Sequence, residues 1–146
     1  MSETPQNFEN HAKVVRGYHG AATALLVLPT LYFLFRAVTD FYSVERTANF
    51  LFAVGVIIAA FYARVFPLGV QDRVIRLEER LRMQRILPDD LKARIGEFTT
   101  GQLVGLRFAS DEELPELARR VLEEGITDKK LIKQAVKTWR ADDQRI

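Results

Sequence analysis

The 146-residue chain has no cysteine, only two histidines and one tryptophan, and no glycine-rich phosphate loop. Without cysteine, disulfides and thiolate metal sites are excluded, a composition that suits a domain facing a reducing cytoplasm. His11 and His19 stand eight residues apart. They therefore do not form a ligand pair on adjacent turns of one helix. Ser43 and Ser110 have no histidine near them in sequence to act as a base, so no nucleophile is indicated. No cofactor and no metal is expected. A formal net charge of +2 says little about partners. Segments alternating apolar and polar residues, the mark of a half-buried strand, are also missing.

What the chain does have is two apolar stretches, Gly20 to Phe35 and Phe50 to Val70, followed by a highly charged second half. With Ala37, Val38 and Phe41 included, each stretch is near the roughly 20 residues a helix needs to cross hydrocarbon. The apolar run after Arg16 has no small-residue cleavage pattern before the aromatic cluster Tyr32 to Phe35, which argues against a removed signal peptide. The fold class expected is all-α: a two-helix transmembrane hairpin followed by a small cytoplasmic helical domain. The divisions are an N-terminal segment over 1–19, a hairpin over 20–70 with spans at about 20–41 and 48–69, and a cytoplasmic part over 71–146. Lys13 and Arg16 precede the first span, and Arg73, Arg76, Arg80, Arg82 and Arg85 follow the second. Positive residues mark the inner side, so both termini are expected in the cytoplasm and the loop around Tyr42 outside.

Arg36 and Arg64 lie within the apolar stretches, each roughly 10 Å from the nearest span centre and on opposite sides of the membrane. They are expected to snorkel, Arg36 towards Asp40 and Arg64 towards inner-leaflet headgroups. Together with Arg73 and Arg76 they form the expected membrane-interface set, in contact with lipid. Gly55, Ala59 and Ala63 recur every four residues, as do Gly20 and Ala24, so small side chains line one face of each span. Those faces would let the spans pack within one chain or between chains. Pro29 is expected to kink the first helix near Leu25. Tyr18, Phe41, Tyr42, Phe50, Tyr62 and Phe66 fall near the interfaces as an aromatic belt.

Beyond the second span, Val70, Val74, Leu77 and Leu81 are spaced four, three and four among charged residues. This predicts an amphipathic helix continuing from the span, whose stripe serves as core or as an assembly surface. Asp72 with Arg76 and Glu78 with Arg82 are spaced for ion pairs along it. Pro88, Asp89 and Asp90 start a short helix reaching about Ile95, with Gly96 as its stop. Capping-box spacing marks further starts at Thr99 with Gln102 and at Ser110 with Glu113, the latter competing with Pro115 as the true beginning. Gly125 ends that helix, and Thr127 caps a last one with Leu131, Ile132, Ala135, Val136 and Trp139 opposite Lys129, Lys133, Lys137 and Arg140. The expected core gathers Leu91, Ile95, Phe98, Leu103, Leu106, Phe108, Leu114, Leu117, Val121, Leu131 and Trp139. Acidic residues interleave the arginines, and the lysines occupy one helical face only, so nucleic acid is not an expected partner.

The segments QDRVIRLEERLR (Gln71 to Arg82), LPDDLKARI, LVGLRFASDEELPELARRVL (Leu103 to Leu122) and IKQAVKTWRADDQR, with FENHAKVV ahead of the first span, resemble a family of small bacterial membrane proteins known as a domain of unknown function. The resemblance implies a bacterial inner-membrane protein with two spans and supplies no catalytic or binding residues. The function expected is a non-enzymatic, membrane-anchored helical module that assembles with itself or with another membrane protein. The alternative is a small transporter or channel subunit in which Arg36, Arg64 and the Pro29 kink line a path across an oligomer.

Overall fold

A computed structural model of the chain describes residues 5–11, 17–40 and 42–142, without the side chains of Tyr18 and His19. Lys13, Arg16 and Phe41 therefore lie outside the described residues, as do the side chains of two residues at the first interface. Six α-helices account for most of what is described: α1 (Thr23–Thr39), α2 (Val44–Ile86), α3 (Asp89–Lys92), α4 (Thr100–Leu106), α5 (Leu114–Glu123) and α6 (Lys129–Ala135). A π-helical turn, Gly17–Ala22, leads into α1, and a 3-10 turn, Ile95–Glu97, follows α3. Among the described residues there is no strand, only an isolated antiparallel bridge between Ala109 and Trp139. The fold is all-α.

The chain divides into two compact units, Val14–Pro67 on the one hand and Met1–Lys13 with Leu68–Ile146 on the other. The helical run Gly20–Thr39, made of the end of the π-helical turn and α1, and the helix α2 are each long and apolar enough to cross a membrane. α1 runs through Pro29 without a break, and Thr30 Oγ1 donates to the Leu26 carbonyl at 2.7 Å. The link to α2 is closed by an ion pair of Arg46 with Asp40 at 2.8 Å. The Arg36 guanidinium does not meet Asp40. It donates to the Tyr32 hydroxyl at 2.9 Å instead. A helical side chain leans back over the preceding turn, where Tyr32 stands, and Asp40 has already left helical geometry at φ −140°.

α2 joins the second apolar stretch and the charged stripe in one helix of 43 residues, about 65 Å of contour. Pro67 sits inside it at the boundary between the units. In the second unit α2 contributes Met83 and, just after it, Leu87 to a core built with Leu91, Ile95, Phe98, Leu103, Leu106, Phe108, Leu114, Leu117, Val121, Ile132 and Val136, and it also buries Ile75. Two expected members depart from that core: Trp139 is only partly buried, and Leu131 is 55% exposed. Leu131 turns out while its neighbour Ile132 and, past the end of α6, Val136 take the inward direction.

The helix ends follow local chemistry. Thr99 and Gln102 form a reciprocal capping box for α4. Glu113 donates its backbone N–H to Ser110 Oγ at 3.3 Å, but α5 begins only at Leu114, with Pro115 in the first turn. The Glu113 carboxylate is taken elsewhere, by the backbone N–H groups of Lys137 (2.9 Å) and Thr138 (2.8 Å). Gly125 adopts φ +63°, and Ile126 N–H bonds to the Val121 carbonyl at 3.0 Å, the closure of a Schellman stop. Asp128, not Thr127, caps α6, accepting from Lys130 N–H at 2.7 Å. Gly96 lies within the 3-10 turn and does not terminate a helix, since α3 already ends at Lys92. A Cβ on Gly105 would stand 2.9 Å from the Ile132 side chain, which is what lets α4 and α6 approach closely.

Candidate functional site

Opposite the Val70–Leu81 stripe, α2 turns Ile75, Glu79, Arg82 and Met83 inward at helical spacing. Two members of that row are charged. Arg82, 4% exposed, has all five guanidinium donors occupied. Nε (2.8 Å) and Nη2 (2.6 Å) reach Asp111 Oδ1, Nη2 also reaches the Ala109 carbonyl (2.7 Å), and Nη1 reaches Glu79 Oε2 (3.1 Å) and the Arg107 carbonyl (3.5 Å). The other Glu79 oxygen accepts from Arg140 Nη1 at 3.3 Å. Burial pushes the Glu79 carboxyl above its ordinary value, against the downward pull of Arg82 and then Arg140. This network pins the post-bridge segment and the 107–111 turn to α2.

Beside it lies an open cleft of about 560 Å3 whose wall includes Glu78, Arg85, Arg107, Arg140 and Asp142. Arg107 pairs with Asp142 at 3.0 Å and lays its guanidinium 4.4 Å from the centroid of the Phe108 ring. Four arginines and three carboxylates stand in this wall, and among the described residues no Ser, Thr, Tyr, His or Lys does. It carries charge of both signs and not a field of one sign.

The N-terminal segment docks on the same unit. Gln6 exchanges two hydrogen bonds with the Asp142 backbone, at 2.9 and 3.4 Å. His11 packs between Phe8, Phe108 and Trp139, at ring separations of 5.8, 5.6 and 5.8 Å. Its Nδ1 lies 2.6 Å from the Phe8 carbonyl and its Nε2 3.0 Å from Lys133 Nζ. A carbonyl can only accept, so Nδ1 is the donor there, and an ammonium donating to Nε2 matches the Nδ1–H tautomer. Lys133, expected on the polar face of the last helix, is instead 7% exposed, with its ammonium 5.0 Å from the Phe108 ring centroid.

The residues singled out in the sequence occupy quite different surroundings. Arg36 and Arg64 are half-buried, and Arg73 and Arg76 are exposed. A Cβ on Gly20 or Gly55 would meet nothing within 4 Å, and Ala24, Ala59 and Ala63 are exposed. Val70, Val74, Leu77 and Leu81 are between 49% and 61% exposed, so the stripe is not core. Glu78 makes no ion pair with Arg82, which turns to Glu79 and Asp111 on the buried side. The Arg82 cluster carried no sequence signal, because its partners Arg107, Ala109 and Asp111 lie 25 to 29 residues away. Glu79 and Arg82 break the apolar periodicity of the very face they occupy.

No match was found among curated proteins or solved structures. A family model, described as a family of unknown function, DUF6526, matches residues 1–146. The chain belongs to that family of unknown function.

Proposed function

We propose that the protein is a non-enzymatic, membrane-anchored helical assembly module of the bacterial inner membrane. In this reading α1 and the apolar part of α2 form a transmembrane hairpin, and the unit built on Leu68–Ile146 lies in the cytoplasm with both termini. The observation that carries it is the exposure of large apolar side chains along both helices: Leu25 73%, Phe35 63%, Phe52 75% and Phe66 66%. The core helix of a water-soluble protein buries such residues, whereas lipid solvates them. The docking of Gln6, Phe8 and His11 on the unit that follows α2 supports an even number of crossings. The basic residues after Gly69 support an inward orientation. Partner chemistry in this reading is lipid on the apolar faces and a second membrane protein, identical or foreign, on the exposed stripe.

The cysteine-free sequence makes the test simple. Single cysteines placed at Ser43 and at Glu123 are exposed to an impermeant maleimide in right-side-out and inverted vesicles. Labelling of Ser43→Cys only from outside and of Glu123→Cys only from inside is the expected result. Release of the protein by alkaline carbonate, or labelling of both positions from one side, would overturn the hairpin. The same vesicles, loaded with ions, separate this reading from a channel subunit, which would show flux that Arg64→Gln alters.

A further inference from the structure

We infer that α2 pairs in parallel with α2 of a second copy of this chain, through the seam Val70, Val74, Leu77 and Leu81. The inference rests on the membrane reading above and names the partner. The seam is half to nearly two-thirds exposed, while the opposite face of the same helix, Ile75, Glu79, Arg82 and Met83, is sealed in its own unit. The chain's own fold therefore cannot cover the seam. Lipid cannot cover most of it either, because Asp72, Arg73, Arg76, Glu78 and Arg80 surround it.

Three features favour a second copy. In heptad terms Val70 and Leu77 take d positions and Val74 and Leu81 take a positions, and the central pair, β-branched Val74 at a followed by Leu77 at d, suits two strands, a preference that Val70 at d and Leu81 at a do not share. Across a parallel pair in that register, the g residue of one helix faces the e residue five places on in the other. Arg73 at g then faces Glu78 at e, twice by symmetry, and neither makes an ion pair within its own chain among the described residues. Finally, the spacing of three and four continues back along the α2 sequence through Phe66, Ala63 and Ala59, whose small side chains suit close helix approach in lipid. Identical chains inserted in one membrane are already parallel and at equal depth, which provides the register.

Two features limit the strength of the pair. Arg80 at g faces Arg85 at e, a like-charge contact. Four half-exposed aliphatic side chains offer on the order of 300 Å2 per chain, short of the ~800 Å2 per partner of a stable soluble complex. The association is therefore one that needs the membrane-embedded length of α2 as well.

The test is disulfide cross-linking of full-length single-cysteine variants in native membranes. Same-residue dimers are expected from Val74→Cys and Leu77→Cys and not from Arg76→Cys, which lies off the seam. In the Leu77→Cys background, Arg73→Glu should lower the cross-linked fraction about fivefold, and Arg73→Glu with Glu78→Arg should restore it. Arg85→Glu should raise it, by replacing the like-charge contact with an opposite pair. All these side chains lie on the exposed side of α2, so folding is not at stake, and intrinsic Trp139 fluorescence checks it. Failure of the double reversal to restore the dimer, or equal cross-linking at Arg76→Cys, overturns the pairing. Carbonate release of the protein would overturn the membrane reading and this inference together. Retention in the membrane without seam cross-links, or an adduct with a different protein at these positions, overturns the pairing alone.

Discussion

Leucine occupies opposite roles in the two units, and the contrast shows how solvent decides what a side chain is worth. In the unit over Val14–Pro67, Leu25 is 73% exposed and Leu28 65%, and the same holds for aromatic neighbours. In the unit with Leu68–Ile146, Leu87, Leu91, Leu103, Leu106 and Leu114 are at most 2% exposed, and the inward side of α2 accepts even an arginine and a glutamate. One region turns its apolar atoms outward. The other buries them and seals charge by pairing it. A single helix, α2, belongs to both regions, and its face from Val70 to Leu81 follows the first pattern beyond the point where the second begins.

The largest effect that would break this contrast lies at the buried charge. Arg82→Met removes the side chain that ties Arg107, Ala109 and Asp111 to α2 and leaves Glu79 with Arg140 alone, and should cost the compact unit about 3 kcal/mol. Chemical denaturation followed by Trp139 fluorescence reads it, and unchanged stability would mean that the network is not a clamp. Next comes a pair of leucines of similar exposure. Leu28→Lys, in the apolar part of α1, should cost roughly 2.5 to 3.5 kcal/mol of membrane insertion. Leu131→Lys, 55% exposed on the compact unit, should stay within about 0.5 kcal/mol. Carbonate-resistant fractions compare the two, and equal behaviour would dissolve the distinction between the regions.

Gly105→Ala is expected to lower stability by about 1 to 3 kcal/mol, because the added methyl meets Ile132 at 2.9 Å. Gly55→Ala, where a Cβ meets no neighbour within 4 Å, should leave unfolding of the compact unit unchanged.

The smallest effects are those of pH. With the Glu79 carboxyl raised by burial, there is a window above the ordinary carboxylate value in which the folded state still holds a proton that the unfolded state has released. Its contribution is complete below the ordinary carboxylate range and is lost as pH rises through the folded value. Glu79→Gln should flatten that slope in a series of melts.

Much of the molecule follows from local chemistry that any reader of the chain can apply. The Thr99 capping box, the Gly125 stop, the all-helical character and nine of the eleven expected core residues need only short-range patterns, because hydrogen-bonding caps and helical periodicity act within a turn or two. The apolar lengths of α1 and α2 are equally plain. What tertiary structure alone decided are the choices among neighbours of similar chemistry. Arg82 could have paired with Glu78 one turn away along its own helix and instead joins Glu79 and Asp111, because the 107–111 turn folds over that side of α2. Which side of α2 became interior could not be read from its hydrophobic stripe, since the stripe stayed outside and a face holding two charges went in. Lys133 and His11, far apart in the chain, meet over Phe108 only once α6 and the N-terminal segment have docked. Long-range partners set those outcomes, and the desolvation they share has no counterpart in the local sequence.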